Sequence, residues 1–283
     1  MFKKLFVFFI AVLNLQSFAQ RPLISATDFA VEVKTSKSLV VIDVNTPEVY
    51  ARQHIQGAIN LYFKDLYKTG AVEGQLKPNE ELVNLLGNKG ISDKSKIVVY
   101  DDGSNKHNSR VWWILKSLGA QDVYILHFNT AELAATGIQL TATPSIGKAT
   151  TFILSESSYK SLAMADVQKM AEGTLLLDGR EKDEFDGVDS ARKSRGHIPG
   201  AVWMNYKEVL TATGAYKSKD EIIAAAAKFG AATEKPIVVY CNSGVKASVM
   251  YVAFKEIAGF RNVQYYAGSY AEWVSVPENP IVK

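Results

Sequence analysis

The chain contains a single cysteine, and the residues around it are those that activate a thiol. Cys241 follows the apolar run Val238-Val239-Tyr240 and precedes Asn242-Ser243-Gly244-Val245-Lys246-Ala247-Ser248. This reads as a strand, a tight loop and the start of a helix near Ala247. The thiolate, not the thiol, is the nucleophile, and positive potential favours it. Unpaired N–H groups at a helix start carry such potential and can cradle an anion. Lys246 adds a full charge, and Gly244 allows a turn that a Cβ would obstruct. Cys241 is thus the candidate nucleophile, and Asn242, Ser243, Gly244, Val245, Lys246 and Ala247 the candidate cradle. The competing reading, a buried cysteine serving as a small hydrophobe, fits the strand-to-helix position less well.

Elements of an open α/β sheet must hold such a thiol, because ligands there bind beyond the carboxyl ends of the strands. The chain repeats the required pattern. "VVIDVNTPEVYARQHIQGAINL" (40–61) is echoed by "LLLDGREKDEFDGVDSARKSRGHIPGAVWM" (175–204), and "KIVVYDDGSNKHNSRVWWILKSLGAQDVYIL" (96–126) by "PIVVYCNSGVKASVMYVAFKEIAGFRNVQYY" (236–266). Asp43 answers to Asp178, His54 to His197 and Tyr100 to Tyr240, at a nearly constant offset. The offset widens between the Asp pair and the His pair, so the second copy gains eight residues around Gly187 to Arg195, among them Arg192 and Lys193. Strands are predicted at Leu39–Val44, Ile97–Tyr100 and Asp122–Leu126, with a helix at Val111–Leu118. They recur at Leu175–Asp178, Ile237–Tyr240 and Val263–Tyr266, with a helix at Ser248–Ile257. Strands alternating with helices imply an α/β fold in which each copy is a parallel sheet flanked by helices. The expected division is residues 21–140, a linker at 141–150 and residues 151–283, with Thr151–Leu154 as an edge of the second unit.

Composition is that of a globular protein. Lys3 and Lys4, the apolar run Leu5–Leu15 and Ser17-Phe18-Ala19 form the layout of a signal peptide, residues 1–19. Export to a periplasm or out of the cell is expected, with no membrane span in the mature chain. The 32 basic residues, less Lys3 and Lys4, nearly balance 29 acidic ones, which argues against a nucleic-acid partner.

Asp178-x-Arg180, "GHIPGA" (196–201), "CNSGVKAS" (241–248) and "AGSYAEW" (267–273), with "VVYDDG" (98–103) and "RVWW" (110–113) in the first copy, resemble the two-domain sulfurtransferases of the rhodanese family. The resemblance covers nearly the whole mature chain. It implies two tandem rhodanese-like domains, the first inactive because Asp101 replaces the cysteine. It implies transfer of a sulfane sulfur from a small anionic donor, thiosulfate or 3-mercaptopyruvate, to a thiol or cyanide through a Cys241 persulfide, with no metal or organic cofactor. Asn242-Ser243 lies nearer the pattern of mercaptopyruvate-preferring members, and Lys246 stands where Thr is usual. Glu184 replaces a donor-binding Arg; Arg192 matches the other basic position and is a candidate donor contact. The loop carrying Lys106 and His107 is expected to face the cysteine and make the cleft more cationic. Cysteine phosphatases of similar layout place Arg where this chain has Ala247, which disfavours phosphate hydrolysis. The alternative function is a non-enzymatic sulfur carrier or binding module. Arg180 reads as the partner of Asp178 in an ion pair, His54 and His197 as structural, and Trp112-Trp113 as core.

Overall fold

Strands of β-branched residues bounded by polar loops build two open parallel sheets. The structure is a computed structural model and describes residues 22–36, 38–70, 72–128, 130–188 and 195–283. Arg192, Lys193 and the expected signal peptide lie outside the described residues. The first sheet runs in the order Leu23–Ser25, Val123–His127, Lys96–Tyr100, Leu39–Asp43, Ile59–Asn60, all parallel. The second runs Val263–Tyr265, Ile237–Tyr240, Leu175–Asp178, Val202–Trp203, again parallel. Each predicted strand is present to within a residue or so at either end.

Period two along the strands sorts side chains between the sheet faces. Val98 and Tyr100 point into an outer cluster with Phe29 and Leu126, and Val238 and Tyr240 into another with Leu176 and Tyr266. Ile97 and Val99, and Ile237, Val239 and Cys241, face inward, where residues of both units form one continuous core. The alternation therefore delivers Cys241 to the face that meets the sister unit.

The helix predicted at Val111–Leu118 begins earlier, at Lys106, because Asn105 adopts a left-handed conformation (φ 56°) that turns the loop into the helix. Its counterpart starts at Val245 after Gly244 (φ 86°), runs to Tyr251, and continues in wider turns over Val252–Ala258 to Gly259. The two equivalent helices pack against each other. Around them the units interlock reciprocally. Gly74 (φ 76°) approaches so close that a Cβ there would strike the Ser243 backbone. A Cβ on Gly214, its equivalent in the second copy, would lie 2.7 Å from the Gly103 carbonyl oxygen.

Thr151–Leu154 joins no sheet among the described residues. It lies on the first unit: the Thr150 N–H donates to the Gly87 carbonyl (2.9 Å), the Ile153 N–H to Asp93 (2.9 Å), and Phe152 is buried in the shared core. Phe152 and these backbone bonds pin the segment, while Ile153 and Leu154 are exposed.

Candidate active site

The backbone of Cys241 is fixed from outside its own loop. Its N–H donates to the Ser269 hydroxyl (3.2 Å), and its carbonyl accepts from the Tyr270 N–H (2.9 Å). The Ala271 N–H donates to the Asn242 carbonyl (2.8 Å). The segment 267–273, legible in sequence only as a motif, is thus the bracket that holds the cysteine. Gly244 is required twice over: its φ is positive, and a Cβ would lie 2.6 Å from the Ala267 carbonyl oxygen and 2.7 Å from the Tyr265 hydroxyl.

Cys241 is 1% exposed and sits at the floor of a cavity of about 560 Å³ between the units. Asn242, Ser243, Val245 and Lys246 line the cavity beside it; Gly244 and Ala247 form the underside of the loop. Phe63, Lys64, Tyr67, Lys68, Glu73, Lys106 and His107 of the first unit close the other side. The backbone amides of Ser243 to Ala247 donate to no protein acceptor among the described residues.

The first copy shows what such a loop does with an anion. The Asp101 carboxylate accepts from the backbone N–H groups of Gly103 (2.9 Å), Asn105 (3.2 Å), His107 (3.1 Å) and Asn108 (3.4 Å). Their counterparts in the second copy are Ser243, Val245, Ala247 and Ser248. Burial, and then the charge of Asp102, still push the Asp101 carboxyl up to about 6. The first cradle is therefore filled by its own side chain, which cannot carry sulfur.

Two charges expected at the site are placed differently. The Lys246 ammonium pairs with buried Glu184 (2.8 Å) and approaches Glu181 (3.6 Å), so its charge is spent inside the second unit. His107 does line the cavity, but it stacks on Phe63 (centroids 3.7 Å apart), and burial, with Lys106 beside it, lowers its pKa to about 4. It is neutral at pH 7, and of that pair Lys106 alone brings charge. Sequence reasoning overlooked the contributions of Phe63 to Glu73; their signal was a Lys-aromatic alternation and the echo of Phe63-Lys64-Asp65-Leu66 in Tyr206-Lys207-Glu208-Val209.

The remaining residues have structural places. Arg180 and Asp178 form a buried ion pair (2.7 Å). His54 stacks on Tyr50 and His197 on Phe185, each bonded to backbone carbonyls. Trp112 and Trp113 lie in the core.

A model of the rhodanese-like domain matches residues 25–128 and again 163–276. The chain belongs to the rhodanese-like family. Each rhodanese-like domain corresponds to one sheet unit, and the tandem arrangement extends to whole relatives. A protein of Haloferax volcanii with the provisional name thiosulfate sulfurtransferase is 28% identical over 259 residues, 87% of this chain and 88% of its own length. One from Mycobacterium tuberculosis with the same provisional name, SseB, is 27% identical over 276 residues, 92% and 96% of the two chains. Among solved structures, SseA from Escherichia coli, described as a 3-mercaptopyruvate sulfotransferase of rhodanese fold, superimposes with a TM-score of 0.77 at 26% identity, covering 88% of this chain and 99% of that one. An anaerobic ergothioneine biosynthesis enzyme from Chlorobium limicola shares the fold at 19% identity and a TM-score of 0.80, over 92% of this chain and 69% of its own.

Proposed function

We propose that the protein is an exported sulfurtransferase in which Cys241 carries the sulfur. The observation that carries this reading is the set of unengaged amides from Ser243 to Ala247 around an inward-facing thiol, in a loop whose first-copy counterpart already holds an anion. The names of the relatives point to thiosulfate or 3-mercaptopyruvate as donor.

In the first half-reaction the Cys241 thiolate attacks the outer sulfur of the donor. An S–S bond forms and the donor's bond to that sulfur breaks, leaving sulfite from thiosulfate or the enolate of pyruvate from 3-mercaptopyruvate. The enolate then takes a proton. The negative charge moves to the terminal persulfide sulfur, where the loop amides stabilise it. In the second half a thiolate or cyanide attacks that sulfur and Cys241 leaves as thiolate. The cavity walls differ in charge. Lys64, Lys68 and Lys106 of the first unit offer cations to an anionic donor, whereas Lys246 is paired. Arg192 is proposed as a further donor contact. Export rests on the N-terminal layout, and the mass of the mature protein from its native host tests it.

Intact mass after mixing with each donor tests the chemistry. A gain of about 32 Da, absent in Cys241→Ser and removed by cyanide, is expected. No gain with either donor overturns the reading. Sulfur that loads but does not turn over with cyanide replaces it with the carrier function, which the Glu184–Lys246 pair would then explain.

A further inference from the structure

One charged group beneath the thiol loop has no part in the transfer just described. Arg110 opens the sequence Arg-Val-Trp-Trp on the helix Lys106–Ser117 and is wholly buried. No carboxylate among the described residues pairs with it. Its Nη1 donates to the Tyr265 hydroxyl and its Nη2 to the Gly74 carbonyl (3.2 Å), while Nε has no hydrogen-bond partner. The rings of Tyr67, Trp113 and Tyr265 stand 5.5–5.9 Å away. Rings soften a buried charge and do not neutralise it.

The guanidinium is aimed at the second unit's loop. Tyr265, which accepts from it, donates its own proton to the Gly244 carbonyl (2.6 Å), and a Cβ on Gly244 would lie 2.8 Å from Nη1. The Gly244 carbonyl so reached belongs to the same short loop as Cys241, between the strand Ile237–Tyr240 and the helix Val245–Tyr251. Burial works against the charge, but Tyr265, Tyr67 and Cys241 outweigh it and hold the guanidinium protonated. The first copy supplies the contrast. The residue equivalent to Arg110 is Met250, and Asp101, at the position of Cys241, bonds to no arginine among the described residues and is held by loop amides alone on its backbone side.

We propose that Arg110 is the fixed countercharge of the Cys241 anion, thiolate and then persulfide, reaching it from the sister unit. The proposal rests on Cys241 being the sulfur-carrying group. Arg110 acts through charge and the Tyr265 bridge and is a positioning residue. The other ionisable groups facing the thiol are the Tyr67 and Tyr265 hydroxyls, which burial keeps protonated. Around the cavity stand Lys64, Lys68, Lys106, the paired Lys246, Glu73 and neutral His107.

The thiolate's ultraviolet absorbance, taken against Cys241→Ser, gives the thiol titration of the full chain with no donor present. In Arg110→Gln its midpoint is expected to rise by about one pH unit, a tenfold loss of thiolate below it. Arg110→Lys should restore part of the shift. A midpoint unchanged in a folded Arg110→Gln overturns the proposal. Should that variant not fold, Tyr265→Phe cuts the bridge that holds the guanidinium to the loop. A rise of about half a unit is then expected, and an unmoved midpoint overturns it. A midpoint that follows Arg110 in a protein that never takes up sulfur would sink the transfer reading, and with it the persulfide role of Arg110, and leave its role toward the thiolate standing.

Discussion

His107 and Asp101 touch, and burial moves their proton affinities in opposite directions, His107 down to about 4 and Asp101 up to about 6. A buried imidazole that stays neutral stabilises the fold fully above its ordinary 6.5, and that contribution is lost as pH falls toward 4. The Asp101 carboxyl takes its proton before the unfolded chain does, so it adds stability as pH falls from 6 toward 3.8. The two offset each other over the same window. Replacing His107 by Phe should expose the Asp101 term. Between pH 7 and pH 4 the variant should gain up to about 3 kcal/mol relative to the parent, read from urea midpoints at both pH values. The same ring neutrality separates His107 from its neighbour in binding. Lys106→Ala should raise the KM for anionic donors by roughly three- to tenfold, an effect that fades with added salt. His107→Ala should show no such salt dependence.

The loop between the strand Ile237–Tyr240 and the helix Val245–Tyr251 depends on one residue without a side chain. Gly244→Ala puts a Cβ against a carbonyl at a positive φ, so destabilisation of about 1–3 kcal/mol and loss of sulfur loading are expected from urea unfolding and intact mass. Most of this element was legible. Val238 to Ser248 announced the strand, the thiol and the turn, because β-branched runs and glycines act locally. The duplication announced the sheets. What stayed hidden were contacts between segments remote in the chain. Nothing near Glu184 foretold that it neutralises Lys246, since the two belong to different strand-to-helix turns of the second unit. Likewise Thr151–Leu154 has strand-like residues, and only the bonds to Gly87 and Asp93 and the burial of Phe152 show that the segment lies on the preceding unit. Arg110 left a trace, a cation on the apolar side of a helix, but its meaning lies in the other unit, at Tyr265.

Both sheets bury their inner faces in one core, so neither unit should unfold alone. Fluorescence of Trp112 and Trp113 in the first unit and Trp203 and Trp273 in the second, isolated by Trp→Phe variants, should report a single urea transition with one midpoint. Two separated midpoints would contradict a shared core. The reciprocal approach of Gly74 to Ser243 and of Gly214 to Gly103 has a further consequence, best put in terms of symmetry. Equivalent surfaces meeting across a pseudo-twofold axis are the geometry of a homodimer. Two separate identical chains would be obliged to place the same residue on both sides of that axis. Covalent fusion lifts the obligation, and every position is then free to specialise independently. The helix residue 110 in one half is Arg and its twin 250 is Met; the cradle residue 101 is Asp and its twin 241 is Cys. The packed helices and the central strands keep the symmetry and their side chains give it up, so that one half became the environment of the other's single thiol.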